Sequence, residues 1–136
     1  MLNGPKKIKF KKTRKGNLKK LEFKSNKLKF GMLGLKSLKS GIITLKQLES
    51  ARQAISRKTK RKAKIWIKIF TNLPITSKST GVRMGKGKGN FDHWGAKIRS
   101  GTVILEVGGK DVYNMLAALK TGKAKLPIKT KIIKQI

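Results

Sequence analysis

The chain has 136 residues, of which 36 are Lys or Arg and only five are Asp or Glu, so its formal net charge is +31. Like charges at this density repel one another in a folded chain unless a polyanion neutralises them, and nucleic acid is the most common polyanion. With no Cys and a single His, the sequence excludes disulfides, thiolate zinc sites and cysteine nucleophiles.

Hydrophobic content and lysine usage limit the setting in which the protein works. The longest apolar runs hold a few residues, whereas a membrane helix needs about 20, so no membrane partner is expected. The first ten residues, MLNGPKKIKF, have neither the hydrophobic stretch of a signal peptide nor the Arg- and Ser-rich character of an import sequence. Because lysine codons are A-rich, 30 Lys against 6 Arg favours an AT-rich genome, that of an organelle or a bacterium.

Residues 1–27 are dense in lysine and keep no helical or strand period. Their few apolar residues are isolated, so the segment is predicted to be a basic extension with little core of its own. Segments of this kind become ordered on nucleic acid. The alternative is a solvated tail.

The segment LKFGMLGLKSL (28–38) follows the extension. Leu28 and Phe30 alternate with lysine and predict a short strand, after which Gly31 and Gly34 interrupt the pattern. The chain from residue 28 to residue 136 is predicted to form one domain.

The clearest helix signal begins at Thr44, which forms a capping box with Gln47. An apolar stripe then recurs at spacings of 3, 3 and 4 residues through Leu45, Leu48, Ala51 and Ile55. Five basic residues lie off that stripe, where they stabilise the helix dipole, meet phosphates, or do both: Arg52, Arg57, Lys58, Lys60 and Arg61.

The remaining elements follow from alternation and helical spacing. They are a strand at 64–70 (KIWIKIF), strands at 92–99 and 102–107 joined by a Ser100-Gly101 turn, a helix at 110–121 that stops at Gly122, and a strand at 126–133. The fold class is therefore α+β, a mostly antiparallel sheet with two helices packed on one face and a basic N-terminal extension.

Residues 71–91 form a long connection, and connections of this length in a compact domain are functional or disordered. Its glycine–lysine run, 85–89, fits neither a dinucleotide fingerprint nor a P-loop, because no helix follows it and no Ser or Thr follows Gly-Lys. Glycine lets a backbone approach a sugar–phosphate surface closely, and Arg83 can fork onto a phosphate or stack on a base. The run predicts an RNA-contacting loop, with a solvated loop as the alternative.

Asp92 and His93 are the only conceivable acid–base pair, and neighbours in a strand point to opposite faces. One His and five scattered carboxylates do not build a triad or a two-metal centre. No catalytic residue, metal or cofactor is expected, and the protein is predicted not to be an enzyme.

Four aromatic side chains have the shape to stack on bases: Trp66, Phe70, Trp94 and Tyr113. Core packing is the favoured interpretation for Tyr113. Trp66 and Phe70 share a strand face with Lys68, and the sequence leaves both roles open for them.

Two long segments resemble the signatures of the universal large-subunit ribosomal protein 16 family, KRKAKIWIKIF (60–70) and RMGKGKGN (83–90). Three other segments are similar to parts of the same family, FGMLGLKSL (30–38), GIITLKQLESAR (41–52) and AKLPIKTK (124–131). The resemblance extends from the N-terminus to about residue 131. It departs at Thr71-Asn72, where the family usually has Pro-Asp.

The resemblance implies a non-catalytic, hammerhead-like domain that docks on large-subunit rRNA beside the aminoacyl-tRNA path, among neighbouring large-subunit proteins and without forming homo-oligomers. The extension residues implied to bind rRNA are Lys6, Lys7, Lys9, Lys11, Lys12, Arg14 and Lys15. From the first helix, the implied rRNA-binding residues are Arg52, Arg57 and Arg61. The implied loop facing tRNA and the peptidyl transferase centre consists of Arg83, Met84, Gly85, Lys86, Gly87, Lys88 and Gly89.

A mitochondrial, organelle-encoded protein is the expected setting, with a plastid or the bacterial cytoplasm as the alternative. A histone-like, nucleic-acid-compacting protein is the second hypothesis, and it predicts duplex-DNA binding without preference for RNA. A membrane-active cationic peptide is a third, but the sequence has no amphipathic helix with a large enough apolar face.

Overall fold

A computed structural model of the protein describes residues 4–16 and 18–135, so residues 1–3 and 17 of the predicted extension, and residue 136 of the predicted domain, lie outside the described residues. Seven strands and two helices follow one another in this part of the chain. They are β1 (Leu33–Ser37), β2 (Gly41–Thr44), α1 (Leu45–Lys58), β3 (Lys64–Ile67), β4 (Leu73–Ser77), β5 (Asn90–Ile98), β6 (Val103–Gly108), α2 (Val112–Lys123) and β7 (Thr130–Lys134). The predicted α+β class is confirmed.

The larger sheet has four strands in the order β3–β6–β1–β7, and all neighbouring strands are antiparallel. β6 lies inside this sheet and residues 103–107 are all buried, because the run VILEV is apolar at four of its five positions. Ile65 and Ile67 of β3 pack against the core, as their alternation predicts. β3 ends at Ile67, but the N–H of Lys68 still donates to the carbonyl of Ile104.

The smaller sheet has three antiparallel strands in the order β2–β5–β4. β4 and the start of β5 fall within the predicted connection 71–91, so that prediction is wrong in extent and the loop itself spans 78–89. β4 is an edge strand, where Pro74 is tolerated although it has no N–H to donate. The proline and the polar residues after it hid the strand from the sequence pattern.

Helix α1 begins with the predicted capping box. The N–H of Gln47 donates to Thr44 Oγ1 at 3.3 Å, and the N–H of Thr44 donates to Gln47 Oε1 at 2.9 Å. Leu48, Ala51 and Ile55 are fully buried, which confirms the apolar stripe from Leu48 onward, whereas Leu45 is half-buried.

Helix α2 packs against α1 and differs from its prediction at the C-terminal end. Gly122 does not stop the helix, because α2 continues to Lys123 and Gly122 is buried within its last turn. A Cβ at residue 122 would lie 2.6 Å from Ile55 Cγ1, which is closer than side-chain atoms pack. The glycine therefore allows the two helices to approach each other.

Two predicted strands are also corrected. Residues 28–30 form no strand, and β1 begins instead at Leu33, because the backbone N–H groups of residues 29–31 bind a side chain described below. The last strand begins at Thr130 rather than at residue 126, although Leu126 and Ile128 still bury their side chains in the core.

A single hydrophobic core joins the two sheets to the helices. It includes Leu35 of β1, Ile43 of β2, Ile98 of β5 and Leu119 of α2. Within residues 4–16 and 18–135, neither helix combines the length and the apolar character needed to cross a membrane.

Candidate nucleic-acid interface

All five acidic side chains are engaged within the protein: Glu22, Glu49, Asp92, Glu106 and Asp111. Of the 36 Lys and Arg side chains, only Arg52, Lys68 and Arg99 form ion pairs with carboxylates among the described residues. Nearly all of the positive charge therefore has no internal counter-charge. Such a surface attracts a polyanion.

Residues 4–16 form no helix or strand, and they lie along the three-stranded sheet. Thr13 Oγ1 donates to the carbonyl of Pro74 on β4 at 3.4 Å, and Lys97 Nζ on β5 donates to the carbonyl of Arg14 at 3.1 Å. The seven cations that the sequence predicts for rRNA binding are all exposed here: Lys6, Lys7, Lys9, Lys11, Lys12, Arg14 and Lys15.

The glycine–lysine loop projects from the end of the same sheet, between β4 and β5. Residues 78–88 are exposed. Gly85 and Gly87 have φ values of +94° and +80°, a left-handed conformation that a side chain disfavours. Gly89 closes the base of the loop, where a Cβ would lie 2.2 Å from the carbonyl oxygen of Ser77.

The structure brings the extension and this loop together. Lys12 Nζ donates to the carbonyl of Lys88 at 2.8 Å, and Lys88 Nζ donates in return to the carbonyl of Thr13. Two segments that are 75 residues apart in the sequence thus present their cations on one surface.

The three arginines predicted on the first helix occupy a different place. Arg52 donates from Nε and from a terminal nitrogen to Glu49 at 3.1 and 2.7 Å, and this contact lowers the pKa of Glu49 and raises that of Arg52. Arg57 and Arg61 are exposed at the C-terminal end of α1. No hydrogen bond or ion pair within the described ranges joins these arginines to the extension or to the loop.

Glu106 organises the root of the extension, and no motif in the sequence pointed to it. Its carboxylate is fully buried in β6 and accepts backbone N–H bonds from Lys29, Phe30 and Gly31 at 3.1, 2.7 and 2.9 Å. Lys68 Nζ lies 3.7 Å from its other oxygen. The only signal in the sequence was one acidic residue inside an otherwise apolar strand.

Two opposing effects set the charge state of Glu106. Burial alone would raise its pKa, because a low dielectric disfavours the charged form. The three backbone donors, together with the ammonium group of Lys68, outweigh burial and hold the pKa below its ordinary value. Glu106 is therefore ionised at neutral pH, and it fixes residues 29–31 across the four-stranded sheet.

The aromatic side chains differ in their contacts and in their exposure to solvent. The rings of Trp66 and Phe30 stack with centroids 6.1 Å apart, and Lys68 Nζ lies 4.3 Å above the Phe30 ring. Phe70 is exposed. Tyr113, in the first turn of α2, is 82% exposed, so the prediction that it packs in the core is wrong.

A profile of the family described as "Ribosomal protein L16p/L10e" matches residues 5–133, a range that includes most of the extension, the loop and both helices. The chain belongs to this ribosomal protein family. The resemblance of its motifs to universal large-subunit ribosomal protein 16 is thereby confirmed.

Two bacterial relatives, each named "Large ribosomal subunit protein uL16", match nearly the whole chain. The protein of Leptospira biflexa serovar Patoc is 45% identical over 131 residues, which cover 96% of this chain and 96% of that protein. The protein of Bartonella henselae is 45% identical over 132 residues, which cover 97% of this chain and 96% of that protein. Members of this ribosomal family are structural components rather than enzymes, as the sequence predicts for this chain.

In this ribosomal protein, Asp92 and His93 do not point to opposite faces. Ile75 pairs with His93 and Thr76 with Phe91, so Asp92 is the extra residue of a β-bulge. The bulge brings Asp92 Oδ2 to 3.0 Å from His93 Nδ1, and this hydrogen bond lowers the pKa of Asp92. Asp92 is exposed and His93 is half-buried, and the described part of the chain has no group of three His, Cys, Asp or Glu side chains that could hold a metal ion.

Proposed function

We propose that this ribosomal protein is a constituent of the large subunit that binds large-subunit rRNA and helps to shape the aminoacyl-tRNA path near the peptidyl transferase centre. One observation carries the proposal: the cations of the extension and of the glycine–lysine loop lie on one surface and have no acidic partners within residues 4–16 and 18–135. The names of the two bacterial relatives support the same assignment.

Within this proposal, the basic residues have separate tasks. The extension, residues 1–27, threads between rRNA segments, and seven of its cations pair with phosphates. Arg57 and Arg61 contact rRNA from the end of α1. The guanidinium of Arg52 contacts both Glu49 and the RNA. The domain that begins at residue 28 then holds these groups in fixed positions beside neighbouring large-subunit proteins.

The loop acts at the tRNA side. Its glycines keep the backbone narrow, so that a sugar–phosphate chain can lie against it. Arg83 provides a planar fork for a phosphate or a face for a base, while Lys86 and Lys88 act as point charges. Two hydrogen bonds join Lys88 to the extension. Contact of the extension with rRNA would therefore fix the base of the loop.

The setting in this proposal is the mitochondrial ribosome, supported by 30 Lys against 6 Arg. A plastid or the bacterial cytoplasm is the alternative, and the bacterial relatives are compatible with the latter. Detection of the native protein in ribosomes from isolated organelles would distinguish these settings.

Truncation tests the rRNA-binding role. Removing residues 1–15 deletes seven cations. It spares Glu22 and Ser25, whose backbones form hydrogen bonds with Ser100 and Val103 of the domain. The slope of log affinity for rRNA against log salt should fall by up to about 6 for duplex contacts or about 5 for single strands. A full-length variant with Gln at the same seven positions should behave alike, because the effect is electrostatic.

The binding measurements also separate ribosomal from histone-like function. Native protein should sediment with the large subunit at moderate salt, and purified protein should prefer large-subunit rRNA to duplex DNA of equal length. Recovery only as free protein, or equal affinity for the two nucleic acids, would favour the histone-like, compacting alternative. An unchanged salt slope after truncation would show that the cations of residues 1–15 do not contact phosphates.

A further inference from the structure

A cleft of about 400 Å³ lies between residues 5–13 of the extension and the edge of the three-stranded sheet. Phe10 forms part of one wall, and Phe70 and Trp94 contribute to the opposite side. Three cations also line it: Lys7, Lys9 and Lys97. The cleft therefore combines aromatic rings with ammonium groups contributed by chain segments far apart in sequence.

The two phenyl rings in this cleft are unusually open to solvent. Phe10 is 65% exposed and Phe70 is 60% exposed, although each has enough apolar area to stabilise a core. Lys9 Nζ lies 5.8 Å from the centroid of the Phe10 ring. Large apolar groups that line an open cleft together mark a binding site rather than a packing defect.

Direct contacts with the domain hold the extension wall in place. At the end of the segment that forms the wall, Thr13 donates a hydrogen bond to the carbonyl of Pro74, and the carbonyl of Arg14 accepts one from Lys97. At its start, a Cβ on Gly4 would lie 2.2 Å from Trp94 Cδ1, so the backbone there rests directly on the indole. The cleft is thus formed by the protein itself, before any partner arrives.

The lining selects the chemistry of the occupant. It contains no acidic side chain, so a cationic ligand would be repelled. An apolar peptide would leave the lysines without counter-charge, and an inorganic phosphate would leave the phenyl rings in water. A nucleotide satisfies both groups, because its base has a π-face and its phosphate is anionic. The volume falls within the range of about 300–1,000 Å³ found for small-molecule sites.

We propose that this cleft binds one unpaired nucleotide of rRNA, with its base against Phe10 and Phe70 and its phosphates beside Lys7, Lys9 and Lys97. The proposal rests on the proposed rRNA-binding function and adds to it a site for a base that has left its helix. Proteins recognise RNA in this way at loops and bulges, where unstacked bases lie on aromatic side chains. The extension then does more than neutralise phosphates, because it completes a pocket that distinguishes single-stranded from paired RNA.

Aromatic substitutions test the stacking. Phe10→Ala and Phe70→Ala should each weaken binding to large-subunit rRNA by about 5- to 150-fold, because stacking on one base contributes about 1–3 kcal/mol. The salt slope should not change, since no cation is removed. Controls are Leu38→Ala and Tyr113→Ala, whose side chains are 52% and 82% exposed but lie outside the extension and the cleft. Both controls should bind as the native protein does.

Fluorescence of Trp94 tests the base directly, in a Trp66→Phe background that leaves one tryptophan. A short oligouridylate should quench Trp94, whereas an abasic ribose–phosphate oligomer of the same length should not. Equal quenching by the abasic oligomer or by an acidic peptide would show an anion site or a protein-binding site, and it would overturn the proposal.

Failure of the rRNA-binding function and failure of the nucleotide site give different results. If the native protein does not prefer rRNA to duplex DNA, the proposed function itself is wrong. If it does prefer rRNA but the cleft variants bind as tightly as the controls, only the nucleotide site is wrong.

Discussion

The two sheets of this protein differ in what their strands bury. In the four-stranded sheet, β6 is buried along residues 103–107, and residues 29–31 are bound across it by Glu106. In the three-stranded sheet, β5 begins with three exposed residues that include the bulge at Asp92, and an exposed loop precedes it. The first sheet is closed by a buried carboxylate, whereas the second carries the exposed extension and loop, whose cations form no ion pair among the described residues.

This difference separates stability from binding. A protein with a net charge of +31 must fold despite self-repulsion. Most of the apolar burial that opposes this repulsion lies in the four-stranded sheet and the two helices, which together form the closed half. The three-stranded sheet forms the open half and carries the extension and the loop. If the cations of these segments were buried, they could not contact RNA. Substitutions in the closed half should therefore change unfolding, and substitutions in the open half should change function.

The largest effect is expected at the contact between the helices. Gly122→Leu places a side chain where even a Cβ would meet Ile55 Cγ1 at 2.6 Å, and it should lower the free energy of unfolding by about 3 kcal/mol. Urea denaturation measures the change. Gly122→Leu combined with Ile55→Ala should be more stable than the sum of the two single changes predicts, because the second makes room for the first. Strict additivity would contradict this account of Gly122.

The next largest effect is expected at Glu106. Glu106→Gln should lower the free energy of unfolding by about 1–3 kcal/mol at pH 7, because three backbone donors and Lys68 lose a carboxylate. The matched control is Glu49→Gln, which alters a partly exposed pair with Arg52 and should change stability by less than about 1 kcal/mol.

The Glu106 effect should also depend on pH. Because folding lowers the pKa of Glu106, its contribution is complete above the unfolded value of about 4.3 and is lost as the pH falls through the lower folded value. The difference in urea midpoint between native protein and Glu106→Gln should therefore shrink as the pH is lowered from 7 towards 3. A difference that is constant across this range would exclude a charged Glu106.

The smallest effect on stability, but a clear one on function, is expected in the loop. Arg83→Ala should change the free energy of unfolding by less than about 0.5 kcal/mol, because the side chain is exposed. Subunits that contain it should assemble normally yet translate more slowly. Lys131→Ala, which removes an exposed cation from β7, should leave translation unchanged. Failure of the Arg83 variant to assemble would place this residue on the docking surface instead.

Local sequence signals predicted the elements whose chemistry lies within a few residues. The capping box of Thr44 and Gln47, the stripe of α1 and the alternation from Ile65 onward all appear in the structure, since short-range spacing determines them. The two signature segments, 60–70 and 83–90, were also sufficient to identify the family.

Long-range contacts account for what the sequence did not predict. Residues 28–30 resemble a strand, but a carboxylate about 75 residues later binds the N–H groups of residues 29–31. Gly122 resembles a helix stop, but a second helix needs its small volume. The contact of Lys12 with Lys88 likewise has no local signature, so the joining of extension and loop is visible only in three dimensions.

The anchorage at Glu106 has a consequence for the encounter with RNA. An extension that rotated freely where it joins the domain would adopt many directions. In most of them its cations would not face the RNA. Here Glu106 fixes residues 29–31, at the start of the domain, so the extension leaves from one position and in one direction. One buried acid thus helps to determine which face of the protein its most basic segment covers.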